Sequence, residues 1–132
     1  MVTTGNARTR IVVVVEDDKP IGELLAGVIN EEEGYRAIHV TRPTDALRTM
    51  EQVKPDLVVL DVGLPGMSGL ELYDRLQKDE RLRGVPVMFE TAVSRENAPE
   101  FKKRGILMVL QKPFDLNDLI AGVRKLAPPL PV

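Results

Sequence analysis

The stretch "RIVVVVEDDKPI", Arg10 to Ile21, decides the fold. Ile11 and four valines run without a polar interruption and stop at Glu16, Asp17 and Asp18. A β-branched run without hydrophobic–polar alternation reads as a strand covered on both faces, the mark of a parallel sheet. Three adjacent carboxylates repel one another, and burial against valines would worsen the repulsion. Such a cluster is tolerated in water at a strand end, or beneath a cation.

Working outward, four more short runs share the texture: "RAIHV" (Arg36–Val40), "DLVVLD" (Asp56–Asp61), "VPVMF" (Val85–Phe89) and "MVLQ" (Met108–Gln111). Helical spacing lies between them. Ile21, Leu24, Leu25, Val28 and Ile29 form one apolar stripe, Leu70, Leu72, Tyr73 and Leu76 another, and Leu116, Leu119, Ile120 and Val123 a last one. Pro20 and Pro43 suit first helical turns, Asp115 suits an N-cap, and Gly34 and Gly105 follow helical segments. Asp18 stands at the entry to the first helix, where capping is at least as good a reading as contact with an ion. Pro99, in "SRENAPEFKKRG", predicts a fourth helix that starts late and keeps about two turns after a long loop. Five strands alternating with five helices describe a doubly wound α/β domain with a parallel sheet. The expected division is an N-terminal extension over 1–9, one domain over 10–127 and a proline-rich tail over 128–132.

Composition narrows the function. The 132 residues carry 43% apolar residues, enough for one domain to bury roughly two-thirds of its unfolded surface without disulfides. Cysteine is absent, which removes thiol chemistry and fits a reducing compartment. No apolar run approaches the ~20 residues that span a bilayer, and "MVTTGNARTR" has no signal core. A net charge of −2 gives no electrostatic case for direct nucleic-acid binding, and the lack of tryptophan removes a stacking platform. The expected setting is the cytoplasm, with no membrane contact.

In a parallel α/β sheet, ligands sit beyond the carboxyl ends of the strands. The polar residues there are Glu16-Asp17-Asp18, Asp61, Glu90-Thr91 and Gln111-Lys112-Pro113. Glu16, Asp17 and Asp61 make an oxygen-rich set suited to Mg²⁺. A carboxylate beside a metal can serve as a nucleophile. Lys112 offers a point charge, and Thr91 a hydroxyl, to phosphoryl oxygens.

With these residues in view, the chain resembles the receiver domain of two-component response regulators, of the single-domain chemotaxis type. The resemblance runs from about Arg10 to Ala127. It rests on "VVVVEDD", "DLVVLDVGLPGMSGLEL", "PVMFETA" and "QKPF", in the family's order and spacing. It implies a flavodoxin-like (βα)5 fold with strand order 2-1-3-4-5. It also implies Asp61 as phosphoacceptor, Glu16 and Asp17 as the acidic pair, Thr91 as switch hydroxyl and Lys112 as phosphoryl-binding lysine. The implied Mg²⁺ would be held partly by the backbone carbonyl of Gly63, and the bond before Pro113 would be cis. A histidine kinase or histidine phosphotransfer protein would supply the phosphoryl group, and a downstream protein would read it. Such a domain assists its own phosphotransfer and dephosphorylation without being an enzyme in the ordinary sense.

Several residues depart from the pattern. Val109 stands where receivers usually carry an aromatic residue that turns inward on activation. Ile106, Leu107 and Met108 place apolar residues near the fourth-helix/fifth-strand face, which suggests a partner surface or a homodimer contact. Glu90 precedes Thr91 where the family has an apolar or small residue, and either repels the acidic site or pairs with Lys112. Gly63 and Val93 cannot orient an attacking water, so slow self-hydrolysis is expected. His39, the single histidine, reads as a surface residue. Two rivals follow: a receiver-like binding module that signals without phosphorylation, and a Mg²⁺-dependent phosphohydrolase. Gly63 counts against the second, which would need a carboxylate at that position.

Overall fold

The computed structural model describes residues 9–131, so most of the expected 1–9 extension and the last tail residue lie outside it. The elements alternate: β1 (Arg10–Val15), α1 (Lys19–Asn30), β2 (Tyr35–Val40), α2 (Pro43–Val53), β3 (Leu57–Asp61), α3 (Gly69–Lys78), β4 (Val87–Thr91), α4 (Ser94–Lys103), β5 (Val109–Gln111) and α5 (Leu116–Leu126). The five strands form one parallel sheet in the order β2-β1-β3-β4-β5, as expected.

Strand β1 shows why the valine run has no polar break. Val12, Val13, Val14 and Val15 are all fully buried, and alternate residues enter different cores. Val13 and Val15 join Leu60, Phe89, Met50, Leu72 and Phe101, on the side of α2, α3 and α4. Val12 and Val14 join Val59, Met88, Leu25, Ile29 and Leu119, on the side of α1 and α5. Each valine side chain removed from water is worth about 1.5–3 kcal/mol.

The helix entries follow local chemistry. Asp18 caps α1 by accepting the Ile21 N–H at 3.1 Å. Ser68 caps α3 by accepting from Glu71, and Asp115 caps α5 by accepting from Asn117. Pro20 and Pro43 fall in first turns. Gly34 and Gly105 take left-handed φ values of 88° and 68°, where a Cβ would be strained.

Three expectations are corrected. Helix α4 begins at Ser94 and carries Pro99 inside it, instead of starting late after a long loop. Pro99 removes the donor that would meet the Arg95 carbonyl, but both residues are exposed, so water can take that acceptor. The helix start is held because Asn97 donates to the Val93 carbonyl through both its backbone N–H and its side-chain amide. Its end is held by buried Phe101, whose ring centroid lies 5.4 Å from that of Phe89. Strand β4 starts at Val87, later than the expected Val85, and ends in Glu90 and Thr91, which are buried members of the sheet. His39 is half-buried, not superficial, and its Nε2 donates to the Glu16 carbonyl at 2.8 Å. Gly22 makes room for that ring, because a Cβ there would fall 1.9 Å from Nε2.

Candidate functional site

Register builds the site. Val14 pairs with Val59, and Val59 pairs with Met88, so one row crosses three strands on the α1/α5 face. Two residues further along each strand the same face carries Glu16, Asp61 and Glu90. An apolar row thus gives way to a row of three carboxylates at the carboxyl edge. One oxygen from each lies within 4.8 Å of the others. Glu16 is 1% exposed, Asp61 6% and Glu90 0%.

Lys112 enters this row from the end of β5. Its backbone N–H donates to the Thr91 carbonyl at 2.8 Å, and the bond that follows it, to Pro113, is cis. Its ammonium lies 3.1 Å from Glu16 Oε1, 3.4 Å from Asp61 Oδ2 and 3.3 Å from Glu90 Oε1. One cation facing the buried carboxylates is therefore the protein's own. Further donors are backbone groups. Asp18 N–H reaches Glu16 Oε2 at 3.1 Å, and Gly63 N–H reaches Asp61 Oδ1 at 3.1 Å. Neither oxygen of Glu90 accepts an N–H or O–H bond from the described residues. A bond between Glu90 and Glu16 requires one proton shared between two carboxyls.

The titration of these groups follows from their dryness. Burial, helped by Glu90, pushes the Glu16 carboxyl up to about 7 against the Asp18 N–H and Lys112. Burial and the Glu16 charge likewise raise Asp61, while the Gly63 N–H and Lys112 oppose them. Burial alone would lower Lys112, but the hydrogen bond to Glu16 and the charges of Asp61, Glu90 and Glu16 raise it above its ordinary value.

Thr91 is buried beside this row, and its Oγ1 accepts the Val93 N–H at 3.1 Å. Gln111 pairs with Thr91 in register. Its amide donates to the Ala92 and Lys112 carbonyls, and its oxygen accepts from the Ser94 N–H and hydroxyl. Val109 pairs with Phe89, whose ring meets Tyr73 and Phe101 at 5.7 and 5.4 Å between centroids. The start of α3 packs against the end of β3. Gly69 donates to the Val62 carbonyl at 2.9 Å, and a Cβ on it would fall 2.2 Å from the Asp61 carbonyl oxygen.

Of the residues read from the sequence, Glu16, Asp61, Lys112 and Thr91 come together. Asp17 is exposed and stands outside the three-carboxylate group, whose third member is Glu90. Of the two readings of Glu90, the structure places it near Lys112 and also against two like charges. The signal that would have placed it was register, since Asp61 and Glu90 are direct partners.

The fold and this edge define a phosphoacceptor-type signalling domain, and the chain belongs to the response regulator receiver domain family, whose model matches residues 12–124. It is a receiver of two-component signalling. Among curated relatives it is similar to the sporulation initiation phosphotransferase F of Bacillus subtilis, 34% identical over 119 residues, covering 89% of this chain and 93% of that one. It is also 34% identical over 116 residues to the phosphate regulon transcriptional regulatory protein PhoB of Pseudomonas aeruginosa, covering 87% of this chain but 50% of that one. The chain thus spans about half the length of some curated relatives and nearly all of others. Among solved structures, the receiver domain of the Francisella response regulator 1452 superposes with a TM-score of 0.81 at 29% identity, covering 90% of this chain and 97% of that one. No helix among the described residues is long and apolar enough to cross a membrane.

Proposed function

We propose that Asp61 accepts a phosphoryl group from the phosphohistidine of a histidine kinase or phosphotransfer protein, in a reaction that requires Mg²⁺. The observation that carries this reading is the Lys112 ammonium held within 3.4 Å of both Glu16 and Asp61 at the carboxyl edge. An Asp61 carboxylate oxygen attacks phosphorus, an O–P bond forms, and the N–P bond breaks. The electron pair returns to the imidazole, which takes a proton from solvent. The carboxylate is the nucleophile in this step.

A divalent cation supplies charge neutralisation for the phosphoryl oxygens when bound. The residues fit one: three buried carboxylates converge, and one of them accepts no hydrogen bond from the described residues. Glu16 and Asp61 would hold it, with Asp17 and the Gly63 carbonyl completing the set that the resemblance implies. Lys112 would move from carboxylate to phosphoryl oxygens, since its ammonium lies within 3.4 Å of all three carboxylates. The Thr91 hydroxyl, now accepting from Val93, would donate to another phosphoryl oxygen.

The functional unit is the span 10–127, in the cytoplasm. Its output is a protein–protein contact, with the α4–β5 face as the surface and self-association as one of its uses. Leu107 is 94% exposed there, beside Ile106 and the short strand β5. Gly63 and Val93 carry no group that orients water, so the phosphoaspartate is long-lived.

The test is intact mass after incubation with acetyl phosphate in Mg²⁺ or in EDTA, with Asp61→Asn alongside. A gain of one phosphoryl group, dependent on Mg²⁺ and absent from the variant, is the expected result. No gain from acetyl phosphate, from a phosphohistidine carrier or as a beryllofluoride adduct would overturn the reading in favour of a module that signals without phosphorylation.

A further inference from the structure

We propose that Glu90 is a third carboxylate ligand of the cation site, so that the unphosphorylated protein holds a divalent cation between Glu16, Asp61 and Glu90. This deepens the reading of the site as one that binds Mg²⁺, and rests on it.

The argument starts from what Glu90 lacks. Glu16 and Asp61 each receive a backbone N–H, from Asp18 and Gly63. Glu90 is fully buried and receives none from any described residue. A buried carboxylate without donors costs several kcal/mol unless a charge faces it closely. Among the described residues, the charge that does so is Lys112 at 3.3 Å, and that ammonium is shared with Glu16 and Asp61. Its hydrogen-bond geometry is good to Glu16. With all three ionised, the carboxylates exceed the one ammonium by two negative charges, the charge of one divalent ion.

Geometry agrees. Oxygens that share one divalent ion, at ligand distances of about 2.0–2.6 Å, lie at most ~4–5 Å apart. The three carboxylates offer oxygens within 4.8 Å of one another. Because Glu90 sits within a strand paired residue for residue to Asp61, its backbone is already placed and little ordering remains. Asp17, by contrast, is exposed at the mouth of the site. A ligand set with more negative charge binds a divalent ion more tightly. Glu90 therefore strengthens cation binding in the resting protein, and the arriving phosphoryl group must compete with it for both the ion and Lys112.

Calorimetric titration of the metal-free protein with Mg²⁺, and separately with Mn²⁺, tests this on wild type, Glu90→Gln, Asp17→Asn and Asp61→Asn. Glutamine keeps the shape and removes a buried charge, so the variant is expected to fold, with a melting midpoint in EDTA at or above that of wild type. Weakening of both metals by about tenfold or more in Glu90→Gln supports the proposal, as does a smaller rise in its melting midpoint on saturation with Mg²⁺. Affinity within about twofold of wild type overturns it and leaves Glu90 as a counter-charge for Lys112. If Asp61→Asn weakens binding and Glu90→Gln does not, the proposal alone fails. If wild type binds neither metal, the cation reading fails with it.

Discussion

Two clusters in this molecule share a design and behave oppositely. At the carboxyl edge Lys112 stands among Glu16, Asp61 and Glu90; on the surface Arg104 stands between Asp74 of α3 and Glu100 of α4. The surface distances are the shorter, 2.8 Å to each carboxylate. Yet Arg104 holds Asp74 and Glu100 below their ordinary range, whereas Glu16 and Asp61 are raised. The difference is water. Asp74 and Glu100 side chains are almost half exposed and pay little to be charged, so the guanidinium decides. The edge carboxylates have lost water, and one ammonium divided among three does not replace it. Proximity to a cation is thus a poor guide to the state of a carboxylate. What it has surrendered to solvent matters more.

The strongest test of that contrast removes each cation in turn. Lys112→Met is expected to lower the unfolding free energy by about 3–5 kcal/mol in metal-free buffer, because it strands three buried carboxylates. Urea titration measures it, and Mg²⁺ should recover part of the loss. A loss no larger than that of the matching Arg104 change would break the comparison.

Next in size is the pH response. Glu16 has a folded value raised to about 7 from 4.5, so between those values the folded state binds more protons than the unfolded one. Stability of the metal-free protein should therefore fall, by up to about 3 kcal/mol, as pH rises from 4.5 through 7. Asp74 has a depressed value, so its contribution has the opposite slope and is lost only as pH falls below the ordinary carboxylate range. Chemical denaturation across pH 5 to 8, on wild type and Glu16→Gln, checks the sign: the variant should show a shallower downward slope, the remainder coming from buried Asp61.

The smallest effect is expected from Arg104→Met, at most about 1 kcal/mol, since its carboxylates return to water when the guanidinium leaves. Added salt should shrink it further. A larger loss would mean that the bridge from α3 to α4 does more than pair charges.

Much of this was legible in the chain. The valine run, the proline and acidic starts of helices and the four strand-end motifs follow from local rules, and they fix fold, strand content and most of the site. What escaped depends on neighbours distant in sequence. Glu90 is visibly odd, but only pairing with Asp61 shows which charges it faces. His39 looks superficial until Gly22 opens a slot for its ring. Pro99 breaks a helix by propensity, and its cost is met by tertiary anchoring at Phe101 and by an exposed Arg95 carbonyl. Asp17 and Asp18 look like partners of Glu16, yet strand alternation and the turn into α1 send both outward.

Gly69 gives the site a mechanical character. With no space for even a methyl group between it and the Asp61 carbonyl, the start of α3 and the tip of β3 abut like a fixed jaw. The opposing side is made of Thr91, Gln111 and Lys112, held together by one backbone bond, a Gln111 side-chain bond and a three-residue strand. A group arriving on Asp61 meets one wall without slack and one that can be re-hung. Under the proposed role of Asp61, the work of accommodating it would fall on the second wall and would reach α4 through the Gln111–Ser94 hydrogen bonds.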